Sequence, residues 1–599
     1  MGRYLAGRWV ALAELGLVFT CAVILYFLPQ LGAWPLLIVL LIWVGLVIAG
    51  RFANLATPLD IPLLIFLATA SLGVWAAYNQ PGSLSKFWLI VAGCLLYYAL
   101  SRQPGENLWL VVGAVCVFLA LLASYYLLTF NHNGTQPVSP AQVFPSSAQT
   151  APSPPAAQPA TPLHDTAEGL MAILLPFPIA LGVFAWRRGN PALGLSALAV
   201  ALLAMGALLL GSSMAALLAL LSVLGLTCLW LLSGFLPGWS VRRRGILFGF
   251  GLLLVAILGL VLVAFRPDWV IEQVNRLAGL GRAGSQLAVN LNTLHLIPDF
   301  LFTGGGLAAF PGLYSHYIMS LPFYLYGYSY SMFLDVGLEQ GITGLASLIV
   351  ILGGSVWLAW KSQVDVALKW ALLVALCVML VNGLADDPLY GGRGTPLLFL
   401  LPGLAIACAR YVPGGESKAD SRQVAKRPVW GVAALVAFLV AGYLIFILAS
   451  SRLGAWYSNL GALQMARVEL ADFPSGEWQD GDNLAALAPA EALLNQALQR
   501  DPDNFAANYR VGLLAMYRHD YPLAKTYLER AYLVSSRHRG VRKVLGYCNV
   551  WLGAFAEAEQ LLKDIPEARH ELEAYSWWWA TQDRDDLSAN AAQMIALLE

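Results

Sequence analysis

The residues of this chain that could do chemistry gather in one stretch, Phe265 to Gly341. It is the one long polar interruption between hydrophobic spans that reads as folded. It holds Arg266, Arg276 and Arg282, His295 and His316, a Gly304-Gly305-Gly306 turn, and a run of Tyr314, Tyr317, Tyr324, Tyr326, Tyr328 and Tyr330. Any active site is expected here, where the loop meets the membrane. Each residue also has a plainer reading. Arg276 and Arg282 fit an interfacial amphipathic helix, 269–280, whose cations snorkel to phospholipid phosphates. His316 reads as a satisfied or exposed loop histidine, and His295 as part of a helix over 286–296. The tyrosines suit the headgroup region, with one end apolar and one wet, and can also stack on sugar rings. Asp335 and Glu339 stand at i and i+4 on a helix leading into a span. There they can orient a hydroxyl, solvate a helix end or pair with Arg393 of the following polar loop, 385–394.

These residues must be positioned by a membrane bundle. The chain has 599 residues, 59% hydrophobic and 12% charged, with mean hydropathy +0.66. A soluble domain carries about twice that charge fraction. Net charge is zero, which gives no basic surface for nucleic acid. Cys21, Cys94, Cys116, Cys228, Cys377 and Cys408 lie in apolar spans and Cys548 in the tail, so no disulfide framework is expected. No Cys and His stand at zinc spacing.

Runs of about 20 apolar residues mark spans. Thirteen are expected: 9–28, 34–50, 61–78, 87–101, 107–129, 166–185, 192–211, 214–234, 245–265, 341–360, 366–384, 395–409 and 429–450. With the N-terminus cytoplasmic, Arg51, Arg102, Arg187, Arg188, Arg242 to Arg244, Lys361, Lys369 and Arg410 all fall in inner connections. Lys86 and Arg393 are the main outer exceptions. This places 131–164, 266–340 and the tail outside the cytoplasm. The Pro-, Ser- and Ala-rich segment 131–164 reads as a flexible outer loop. No paired intramembrane charges of the kind that mark ion coupling are visible, which disfavours a transporter.

The expected fold class is all-α: a transmembrane domain over 1–450 and a soluble helical domain over 451–599. In the tail, Ala490, Ala524 and Ala558 recur at a spacing of 34, as do Leu494, Leu528 and Leu562. Ala497 matches Ala531, Gly512 matches Gly546, and Tyr517 matches Trp551. Small residues at fixed places let helices pack closely, and Asp501-Pro502 breaks the chain between units. The pattern resembles tetratricopeptide repeats. It reads either as an array used for packing or as a groove for a protein partner through residues 490–599, with Trp577 to Trp579 as a cap.

Two stretches carry a second resemblance: Phe302-Thr-Gly-Gly-Gly-Leu-Ala-Ala-Phe310-Pro311, and Met332-Phe-Leu-Asp335-Val-Gly-Leu-Glu339-Gln-Gly341-Ile-Thr-Gly344. With about a dozen spans and a large outer loop before the last few, the chain resembles the O-antigen ligase and polymerase family over roughly residues 9–450. Such proteins move glycans from polyprenyl-diphosphate carriers at the outer face of the bacterial cytoplasmic membrane. The resemblance implies no metal or nucleotide cofactor, and membrane lipids and a lipid-linked glycan as partners. Arginines would hold the diphosphate and a histidine would activate the acceptor.

Carried over residue by residue, the functional positions depart from that pattern. The family's histidine and the Asn after it fall on Tyr330 and Ser331, and its loop arginine falls on Gln286. The Trp four residues later is Asn290. The earlier Ser-Arg-Gly setting reads Ser212-Ser213-Met214, and the usual Asn before Ala-Gly is replaced in Asp165-Thr-Ala-Glu168. A neutral Gln cannot offset a diphosphate, and a tyrosine is a poor base at neutral pH. The resemblance therefore implies a degenerate active site with a scaffold role. The alternative is a rearranged active site that uses Arg276 or Arg282 for phosphate and His316 or Tyr330 at the acceptor, with Gln286, Glu339 and Arg393 nearby.

Overall fold

A computed structural model describes residues 2–28, 31–48, 56–129, 162–210, 213–232, 281–320, 326–411, 450–471, 473 and 481–598. Every regular element among them is helical and none is a strand. Among the described residues, seven helices are long and apolar enough to cross a membrane: Trp9–Phe27, Gln80–Ser101, Gly105–Leu128, Ala167–Arg187, Pro191–Leu210, Met332–Lys361 and Val366–Ala385. Three shorter apolar helices, Asp60–Ala76, Ala215–Thr227 and Thr395–Ala409, fall on further expected spans. The helix Trp34–Ile48 falls on another. The expected spans 245–265 and 429–450, the loop 131–161 and the interfacial helix 269–280 lie outside the described residues.

One boundary differs from expectation with consequences. The span expected at 87–101 begins at Gln80, because the Asn79 side chain accepts the Gly82 N–H at 3.0 Å and Pro81 occupies the first turn. Lys86 is therefore a buried residue of a helix and not part of an outer connection. Small residues let the helices close on one another. Gly93 faces Phe399 and Pro396, and Gly403 faces Tyr97 and Leu100. At one end of the bundle Arg410 donates to the Ser101 and Ala56 carbonyls, both at 2.9 Å, and Arg102 pairs with Glu14.

The tail is a row of antiparallel helix pairs: Ser450–Glu469 with Ala488–Arg500, Phe505–Tyr517 with Tyr521–Val534, Arg539–Trp551 with Phe555–Leu562, and Ala568–Thr581 with Asp585–Leu597. The spacing of 34 has a packing cause. Leu494, Leu528 and Leu562 are fully buried, and each fills the space above a glycine on the partner helix: Gly461, Gly512 and Gly546 respectively. Asn504, Asp520 and His538 cap three of the helices by accepting backbone N–H groups. Trp579 is buried against Trp551, while Trp577 is exposed.

Two titrating groups inside the tail pull its stability in opposite directions with pH. Burial pushes the His538 imidazole down to about 3, and its Nδ1 accepts the Val541 N–H at 3.2 Å. Burial pushes Glu571 up to about 7, although Lys543 stands 2.6 Å away. A histidine depressed in the fold costs stability as pH falls from its ordinary value near 6.5 toward 3. A carboxyl raised in the fold costs stability as pH rises from 4.5 toward 7. His538→Asn keeps a cap acceptor and removes only the first effect. Its stability relative to wild type is expected to grow steadily as pH falls below about 6.5. Hydrogen exchange of tail amides in the full-length protein reads this difference, and a difference independent of pH would refute it.

Candidate functional site beneath the glycine turn

The two stretches singled out in the sequence pack directly on each other. Gly304 and Gly306 have φ of 73° and 106°, the left-handed region open to glycine. The turn enters the backbone of the Met332–Lys361 helix: Gly305 donates to the Leu338 carbonyl at 2.7 Å, and Ile342 donates to the Leu301 carbonyl at 2.9 Å. The helix breaks there, at Gly341, with φ 72° and ψ −175°. The turn also seats on the end of the Asp60–Ala76 helix, where Leu307 donates to Gly73 at 3.1 Å. A β-carbon on Gly304 would collide with the Glu339 carbonyl, and one on Gly306 with the Ala77 backbone. Gly304→Ala is therefore expected to lower stability by roughly 2 to 4 kcal/mol, through strain and a backbone collision together. Thermal unfolding in detergent, run beside Gly327→Ala at a position with open space, checks it.

Beneath this turn lies a buried set of ionisable and polar groups from four elements. Glu339 pairs with Lys86 at 2.7 Å, and the Lys86 ammonium sits 3.9 Å over the ring centre of Tyr390. Gln340 donates to the Tyr390 hydroxyl at 2.9 Å and accepts from Thr69 at 2.8 Å. Asp335 accepts the Ser329 N–H at 2.8 Å. Asp387 accepts the Leu389 and Tyr390 N–H groups at 3.3 and 2.6 Å, which folds the 387–391 turn over the helix ends. The carboxyls of Asp335 and Asp387 meet each other. The site therefore sets a lysine–glutamate ion pair beside two further buried carboxyls. Ionisable groups so buried in a membrane bundle usually mark function. Lys86 with Glu339 corrects the expectation that paired intramembrane charges are missing.

The sequence-predicted residues divide around this site. Glu339 and Asp335 lie in it. Glu339 is paired with Lys86 and not with Arg393, because Lys86 sits inside its helix. Arg393 instead donates to the Tyr26 carbonyl at 3.3 Å. Tyr330 packs half-buried in the cluster shared by loop and tail, edge-on to Tyr328. Its carbonyl accepts from Asn290 at 3.0 Å. Gln286 is half-buried on the Gly281–Leu296 helix. Arg282 is in the first turn of that helix, its side chain outside the described residues, and Arg276 lies outside them altogether. His316 is turned to the tail: its Nε2 lies 3.3 Å from both the Tyr517 hydroxyl and Glu469.

Sequence reasoning missed Lys86, Asp387, Tyr390, Gln340 and Thr69 as site members. Asn79 followed by Pro81 was a helix-start signal that could have brought Lys86 inside. Nothing local could have joined Thr69 to Gln340.

The tail closes the site from the other side. The Asn459 carbonyl oxygen accepts the Phe302 and Thr303 N–H groups at 2.9 and 3.3 Å, and its amide donates to the Thr303 hydroxyl at 2.8 Å. Arg510 pairs with Asp299 at 3.0 Å, both fully buried. The chain matches no family model and no curated protein.

Proposed function

We propose that this is a multi-pass membrane protein of the O-antigen ligase type with a tetratricopeptide-like tail. On this reading it binds a polyprenyl-diphosphate-linked glycan without turnover and serves as a scaffold in the bacterial cell envelope. Thirteen spans, a cytoplasmic N-terminus and an extracytoplasmic tail over 451–599 go with this reading, as does a protein partner taken through residues 490–599. The observation that carries it concerns the missing base. The expected position is Tyr330, and the nearest histidine upstream, His316, is bound between Glu469 and Tyr517 of the tail. Gln286 stands where an arginine would hold phosphate. The close packing of the 302–310 and 332–344 stretches supports a retained frame. The test is binding to protein in lipid nanodiscs. Retention of a polyprenyl-diphosphate glycan, uncompeted by ordinary anionic phospholipid, is expected. Equal competition by phospholipid would remove the reading.

A second reading is favoured by the buried cluster itself. Lys86, Glu339, Asp335 and Asp387 could form a rearranged active site, with the acid pair taking a proton from an acceptor hydroxyl. On that reading Asp387→Asn abolishes release of polyprenyl diphosphate while leaving glycan binding intact.

A further inference from the structure

The inner face of the tail is already occupied. The first helices of successive pairs, Phe505–Tyr517, Arg539–Trp551 and Ala568–Thr581, present Tyr509, Arg510, Gly540, Lys543 and Glu571. Against them lies Tyr317-Ile318-Met319, the last residue of the short Phe310–Tyr317 helix and the turn after it, buried in the apolar cluster shared by loop and tail. The contacts grip the end of that helix, where Ile318 and Met319 both donate back to the Tyr314 carbonyl, at 3.0 and 3.2 Å. Main-chain carbonyls fix register: Tyr509 donates to the Tyr317 carbonyl at 2.9 Å, and Lys543 donates to the Met319 carbonyl. Gly540 passes so close to the Tyr317 carbonyl that any β-carbon there would collide with it. One side chain supplies selectivity. The Tyr317 ring lies 3.8 Å beneath the Arg510 guanidinium, and its hydroxyl donates to Glu469.

The segment does not hold this shape by its own preference. Ser320, directly after it, has φ of 63°. Left-handed backbone at such a residue is disfavoured and persists only where contacts outside the segment enforce it.

We propose that the tail's inner face is a peptide-binding groove whose resident ligand is the chain's own Tyr317–Met319. The loop carrying the glycine turn is thus a latch held in cis. A peptide that forms the same helix end, with a tyrosine followed by two apolar residues, competes for the same groove. This goes beyond the glycan reading and stands whether or not the chain acts on a glycan. Because the resident ligand is tethered, its effective concentration is of millimolar order. Wild-type protein is therefore expected to take up such a peptide weakly.

The test uses the full-length protein in detergent and a fluorescent synthetic peptide spanning residues 312–322. Tyr317→Ala weakens the resident ligand and leaves the groove intact. The milder Tyr317→Leu keeps apolar volume but removes the ring beneath Arg510. Gly540→Val blocks the groove. Each Tyr317 variant is expected to bind the peptide at least tenfold more tightly than wild type, and adding Gly540→Val is expected to abolish that gain. Hydrogen exchange at residues 309–319 should rise in the Tyr317 variants while tail helices stay protected. Peptide binding equal in wild type and both Tyr317 variants, or a gain that survives Gly540→Val, would overturn the proposal.

Discussion

Arg510→Met is expected to loosen the junction between loop and tail more than any other single change in the tail. Arg510 and Asp299 are each fully buried and 3.0 Å apart. Burial raises the Asp299 carboxyl, with Arg510 opposing, so the acid depends on its partner to stay charged. Removing one member of such a pair leaves an uncompensated charge and costs about 3 to 5 kcal/mol. Arg510 also covers the Tyr317 ring, so the same variant removes the cover from the latch. The double variant Arg510→Met with Asp299→Leu should recover most of the loss, since replacing a buried pair with apolar groups is often neutral. Limited proteolysis within 300–320 of the full-length protein reads this directly. Equal cleavage in the single variant and wild type would show that the pair does not hold the junction.

Lys86→Met is expected to have a comparable effect inside the bundle. It strands the Glu339 carboxylate beneath the glycine turn, again at about 3 to 5 kcal/mol. Glu339→Gln on top of it should restore much of the loss, because a neutral amide needs no counter-charge. Lys86→Arg should not substitute fully, since a planar guanidinium cannot take the compact place of the ammonium above the Tyr390 ring. Thermal unfolding midpoints in one detergent, ordered wild type, double variant, single variant, are the expected result. A single variant as stable as wild type would mean that Glu339 finds its compensation elsewhere.

Local pattern carried much of the architecture into the sequence, and long-range pairing carried little. The spacing of 34 in the tail was readable because each repeat of Leu494, Leu528 and Leu562 must meet a glycine across a helix pair. The apolar helices were readable because a bilayer demands continuous hydrophobic runs. The close contact between the glycine triplet and the Glu339-Gln340-Gly341 break was suggested by two neighbouring glycine-rich stretches, although their mutual packing was not. Lys86 was misplaced because hydropathy finds the apolar core of a helix and not its capped start at Asn79. The pairing of Arg510 with Asp299 spans 211 residues and leaves no local trace. For the same reason His316 could be read as a satisfied loop histidine or as an acceptor base, but its partners Glu469 and Tyr517 in the tail could not be named.

The most direct measurement is release of polyprenyl diphosphate from a polyprenyl-diphosphate glycan by purified protein in lipid, beside a catalytically competent ligase in the same assay. A binding scaffold with a degenerate site predicts no release above the protein-free rate while the glycan stays bound. Release by wild type that is lost in Lys86→Met or Asp387→Asn, with glycan binding retained, would contradict it and identify the buried cluster as a rebuilt active site.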